Sequence, residues 1–124
     1  MSRLLTAIQN PHTRILGHPT GRLLLSRAGY PVDHKTLIDA CAAHGVVIEL
    51  NAHPRRLDLD WRWISYALQK NVMISIDPDA HSISGYHDIH YGVLAAQKGG
   101  VGAGQNLSSF SLQQMREFVN RKRY

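Results

Sequence analysis

The chain has 124 residues, a single cysteine, 44% hydrophobic residues and a formal charge of +5 with a pI near 9.7. That is one domain's worth of chain with ordinary core-forming content, and a lone Cys41 excludes an internal disulfide framework. No apolar run approaches the roughly 20 residues that span a bilayer, and residues 1–9 are too short for a signal peptide. A cytoplasmic protein with no membrane partner is therefore expected. The basic balance favours polyanions such as nucleic acid or phosphate esters. The positive charge is spread along the chain, and its densest run, Arg121-Lys122-Arg123, sits at a terminus expected to fray.

In chain order, residues 2–9 carry Leu4, Leu5 and Ile8 at helical spacing, and Asn10-Pro11 stops them. Residues 13–16 read as a short strand. Residues 18–31 form the longest irregular stretch, rich in Gly, Arg and Pro, and loops of that length are often functional. Asp33 can cap a helix to His44 with Leu37, Ile38 and Cys41 as its apolar stripe, and Gly45 stands where a left-handed terminating residue is expected. Residues 46–50 are nearly all apolar, as a parallel strand buried on both faces should be. After a loop over 52–59, Asp58 or Asp60 can cap a helix reaching Lys70, with Trp61, Ile64 and Leu68 on one face. Residues 72–76 make a third strand. Residues 86–98 are helical, and Gly99-Gly100 ends them; residues 102–104 are expected to be mobile. Ser111 and Gln114 form a capping box, Phe110 can staple to Met115, and a last helix runs to about Arg121.

Each apolar run releases polar side chains at its C-terminal end: Gly17-His18-Pro19, Asn51-Ala52-His53 and Asp77-Pro78-Asp79-Ala80-His81. That is how (β/α) barrels build metal and catalytic sites. Asp79 and His81, two apart in an extended segment, would point the same way and could grip one metal ion or bridge two. Mixed N/O ligation of that kind suits Zn, Mn or Fe. His18 is held in a defined turn by the proline that follows it. Asn51, Arg55 and Arg56 follow the middle strand and face the same rim, where Arg suits bidentate phosphate contacts; Arg22 and Arg27 of the first loop could also meet phosphate. Bland readings compete with each of these. Asp is a common helix cap, His18 could be a simple turn residue, and Arg55 and Arg56 could be solvated charges. His53 reads as a non-ligand, Glu49 as a partner for another group inside the sheet, and His87 and His90 as unlikely metal ligands. His12, His34 and His44 read as surface or helix-terminal residues.

The ordered set Gly17-His18-Pro19-Thr20-Gly21-Arg22, Asn51-Ala52-His53-Pro54-Arg55-Arg56-Leu57-Asp58 and Pro78-Asp79-Ala80-His81-Ser82 resembles the polymerase and histidinol phosphatase (PHP) domain, in the form found at the C-terminus of bacterial family X DNA polymerases. The resemblance runs from about Leu4 to about Arg121. It implies a distorted (β/α)7 barrel that hydrolyses phosphoesters with up to three divalent metal ions, commonly Mn or Zn, and a 3′-5′ exonuclease activity on DNA. It implies that His18, Asp79 and His81 are metal ligands, and that the loop from Asn51 to Arg56 lies near the cleft as possible substrate contact. The family's earlier ligands would precede the Gly-His-Pro strand.

The expectation is therefore an α/β chain, residues 1–124, forming about half of such a barrel. It would be inactive alone and would need the N-terminal half of the domain as a partner. Exposed sheet edges and apolar helix faces would favour a homo-oligomer. A non-catalytic phosphate- or nucleic-acid-binding module and a stand-alone phosphatase related to histidinol phosphatase are the alternatives.

Overall fold

The computed structural model describes residues 1–121, so Lys122 and Arg123 of the terminal basic run lie outside the described residues. Three parallel strands, β1 (Ile15–Leu16), β2 (Val47–Asn51) and β3 (Ile74–Asp77), form one sheet in the order β1-β2-β3. Helices α1 (Ser2–Gln9), α2 (His34–His44), α3 (Ile64–Gln69), α4 (Ile89–Gly99) and α5 (Leu112–Asn120) complete a mixed α/β architecture.

The faces of β2 explain the layering, because successive side chains of a strand point to opposite sides. Ile48 and Leu50 enter a core built with Ile8, Leu37, Ile38, Cys41, Ile64 and Ile74, all fully buried. Burying side chains of this size contributes about 1.5–3 kcal/mol each. Val47 enters a second, smaller cluster with Leu107 and Phe118. Glu49 and Asn51 share that second face, and β3 sets Ser75 and Asp77 opposite them in register.

Local chemistry fixes the helix ends. Asp33 accepts from the Thr36 amide at 3.1 Å, and Gly45 takes the left-handed conformation at φ 65°. At α5 the Ser111 hydroxyl accepts from the Gln114 amide at 3.2 Å while the Gln114 side chain accepts from the Ser111 amide at 2.8 Å. Phe110 and Met115 both pack on the second cluster, as a staple requires.

Four elements differ from the sequence reading. β1 has two residues, because Thr13 closes a turn on Asn10 and hangs its hydroxyl on the Ala7 carbonyl. The third helix begins as a tight 3-10 turn at Trp61–Trp63, capped by Asp60 and not by Asp58. The fourth likewise begins as a 3-10 turn, Ser84–Asp88. A further 3-10 turn, Ala103–Gln105, occupies the Gly-rich segment, with the Gln105 side chain accepting from the Gly102 amide at 2.9 Å.

Two contacts position the strand ends. A Cβ at Gly92 would lie 2.5 Å from the Ala52 Cβ and 2.6 Å from Ile76 Cγ2, so α4 rests directly on the ends of β2 and β3. On the outer edge of β3, the Ser108 hydroxyl donates to the Ile76 carbonyl at 2.7 Å and accepts from its amide at 3.0 Å. Asn106 forms a single parallel bridge to Ile74 beside it. Ser108 thus stands in for a strand residue there. The outer side of β1 carries no further strand among the described residues, and Ile15 is exposed.

Candidate functional site at the strand ends

The first loop leaves β1 through Gly17 and turns at once. The Gly21 amide donates to the His18 carbonyl at 3.0 Å, closing a turn with Pro19 in its second position. His18 has φ 21°, an uncommon value for a residue with a side chain, so the turn holds it in place. The His18 amide donates to Glu49 Oε2 at 2.7 Å. Glu49 therefore pairs inside the sheet, as its place in an apolar strand suggests. Burial pushes the Glu49 carboxyl up to about 7, and the neighbouring Asp77 carboxylate adds to this against the pull of the His18 amide. Ser75 donates to both Asp77 oxygens at 3.0 Å.

The first and second loops are bolted together by groups that the sequence reading assigned elsewhere. Asp58 is completely buried. Its carboxylate accepts from the Thr20 amide at 3.0 Å, the Thr20 hydroxyl at 2.9 Å and the Gly21 amide at 2.9 Å. Arg22 donates from Nε to the Arg56 carbonyl at 2.8 Å, from Nη1 to Asp60 at 3.1 Å, and from Nη2 to the Leu57 carbonyl. Most of its guanidinium is thus engaged with the second loop. Asp58 carried no site signal in the sequence; its partners are 37 and 38 residues away.

Asn51, buried at the end of β2, joins the second loop to the third. Its Oδ1 accepts from the His53 amide at 3.1 Å and its Nδ2 donates to Asp79 Oδ2 at 3.1 Å. Arg56 Nε lies 3.7 Å from the same carboxylate oxygen. Arg55 is exposed, and its amide donates to His53 Nδ1 at 3.1 Å, which ties that histidine into the turn. His18 meets β2 through Glu49, and Asp79 meets it through Asn51, so both gather at the C-terminal end of the sheet.

Asp79 and His81 are not arranged as an extended pair. Asp79 takes φ 56°, which turns its carboxylate toward Asn51 and Arg56. His81 folds back so that Nδ1 lies 2.6 Å from the Asp79 carbonyl. A carbonyl can only accept, so Nδ1 carries a hydrogen and Nε2 is left to face solvent. Metal-bound histidines have the same arrangement, with one ring nitrogen donating to a carbonyl and the other free for the ion. The imidazole and carboxylate donors suit Zn or Mn. Among the described residues no three His, Cys, Asp or Glu side chains converge on one point, and no helix is long and apolar enough to cross a membrane.

No family model matches this chain. Over 121 residues, 98% of its length, it is 40% identical to the "DNA polymerase/3'-5' exonuclease PolX" of Bacillus subtilis (strain 168). It spans about a fifth of that protein, 21% of its length. The chain is thus similar to one part of a protein named as both a DNA polymerase and a 3′-5′ exonuclease.

Proposed function

We propose that this chain is the C-terminal share of a metal-dependent PHP phosphoesterase domain of the PolX type, folded as part of a (β/α) barrel and acting on DNA ends. The observation that carries the reading is the seating of Asp79 and His81. The carboxylate is oriented by Asn51 and Arg56, and the imidazole is anchored through Nδ1 with Nε2 open, in a chain similar to an exonuclease over nearly its whole length.

His18, Asp79 and His81 would hold part of a cluster of divalent ions, Mn or Zn. Such ions supply an activated water and neutralise charge on phosphate oxygens. Asn51 and Arg56 fix the direction of the Asp79 carboxylate. Arg55, exposed on the same loop as Arg56, would meet a DNA phosphate, and Arg22 serves by holding the two loops in register. Glu49, its carboxyl pushed up to about 7 chiefly by burial, carries only part of a negative charge next to His18 near neutral pH.

Three ligands are too few for a multi-ion cluster, so the 124-residue chain alone is expected to hydrolyse a 3′-labelled oligonucleotide only at trace level with added Mn. Addition of the N-terminal half of a PHP domain in trans should restore turnover. Robust turnover by the chain alone, abolished by His81→Ala, would overturn the partial-domain reading in favour of a complete small phosphatase. No turnover in the reconstituted mixture would count against the phosphoesterase reading.

A further inference from the structure

Leu25 is completely exposed, more so than any other large hydrophobic side chain among the described residues. A single exposed leucine needs no explanation, but three features separate this one. Its backbone is left-handed at φ 64°, a conformation that disfavours a branched side chain and would suit glycine. The tip that presents it is braced. The Leu23 amide donates to the Arg27 carbonyl at 3.1 Å, the Arg27 amide returns to the Leu23 carbonyl at 2.8 Å, and the Leu24 amide donates to the Arg55 carbonyl. Two nearby arginines are not paired with a carboxylate among the described residues: Arg27 donates to the Gly21 carbonyl and Arg55 is exposed, whereas Arg22 pairs with Asp60 and Arg56 with Asp79.

The tip also has a defined place. Leu24 is bonded to the backbone of Arg55, and the next residue, Arg56, borders the Asp79 carboxylate. An apolar point among cations, one residue from the loop that borders the candidate site, fits a duplex end. The Arg27 and Arg55 guanidinium groups suit the phosphates and the leucine suits the base stack. A lipid surface would call for a broader apolar patch than one side chain.

We infer that Leu25 is a wedge for nucleic-acid ends, entering the terminal stack and freeing the last nucleotide to reach the rim at Asp79. The inference rests on the reading of the chain as part of a DNA-end hydrolase. A terminal nucleotide drawn out of the stack can carry its phosphodiester further into a rim site than a paired one, and inserted Leu, Ile, Met or Phe side chains are a common means of unstacking.

The test uses the 124-residue chain in EDTA and a short duplex with 2-aminopurine next to its 3′ end, whose fluorescence rises on unstacking. The chain should raise the signal at saturation. Leu25→Gly, which suits the backbone there, should return it to the free-DNA level while changing Kd by less than about threefold, because phosphate contacts position the duplex. Leu25→Met should restore most of the rise. Binding with no rise, or a rise that Leu25→Gly leaves unchanged, overturns the wedge and spares the DNA reading. No binding to the duplex even at low salt overturns both. Loss of self-association in Leu25→Gly with an unchanged fluorescence rise would assign the tip to a protein contact and also overturn the wedge.

Discussion

The first two loops and the third are held in different ways. The first and second interlock through a completely buried carboxylate and a guanidinium with three protein acceptors, Asp58 and Arg22. The third loop is tied to them by one amide-carboxylate bond and a longer Arg56–Asp79 pair, and His81 rests on its own backbone. One region is stapled for shape, and the other leaves its polar atoms available. Stability and ligand binding should therefore separate on mutation.

Asp58→Ala should have the largest effect. It strands the Thr20 amide and hydroxyl in a buried site and removes one of the two acceptors of the Gly21 amide, for a loss of about 2–5 kcal/mol, measurable by urea unfolding. A loss below about 1 kcal/mol would mean that the two loops are held by something else. His81→Ala should do the reverse. Mn affinity, followed by calorimetry or electron paramagnetic resonance, should fall roughly tenfold or more. Unfolding should change by no more than about 0.5 kcal/mol, because the side chain is exposed. Equal losses in both measurements would erase the distinction between the regions.

The smallest effect belongs to Asp60, on the seam of the stapled region. The Arg62 side chain first, then the Arg62 amide and Arg22, hold its carboxyl well below the ordinary value of 3.8. A folded-state pKa below the unfolded one stabilises above the unfolded value and loses that contribution as pH falls through the folded one. Asp60→Asn should therefore cost about 1 kcal/mol near neutrality and flatten the fall in stability below pH 3.8. An unchanged acid limb in Tm against pH would show that Asp60 is not charged against these arginines.

What was legible in the sequence was what neighbours decide. Asp33, Gly45 and the Ser111–Gln114 pair act within a turn of the residues they cap, so spacing alone located three helix ends. Val46 to Leu50 reads as a doubly covered strand because apolar residues on both faces have no other use. Asp58 was not legible, because beside Asp60 it looks like a second cap candidate and its partners come from a distant loop. The Asp79–His81 pair was half legible. Its place after a buried strand was correct, but the left-handed turn at Asp79 sends the two side chains along different paths, and alternation holds only for extended backbone. Glu49 stood out as a charge in an apolar run, whereas its coupling to Asp77 depends on strand register.

Ser108 occupies the outer edge of β3 with both halves of a hydroxyl, so among the described residues the sheet has one vacant side, at β1. A strand added from a longer chain has a single berth. If two copies met through that berth instead, each would use up the other's only opening. The product would be a finite two-fold pair with no sheet edge left to recruit a third copy. Ser108, with Asn106 bridging Ile74 beside it, thus separates a sheet that can close from one that could polymerise.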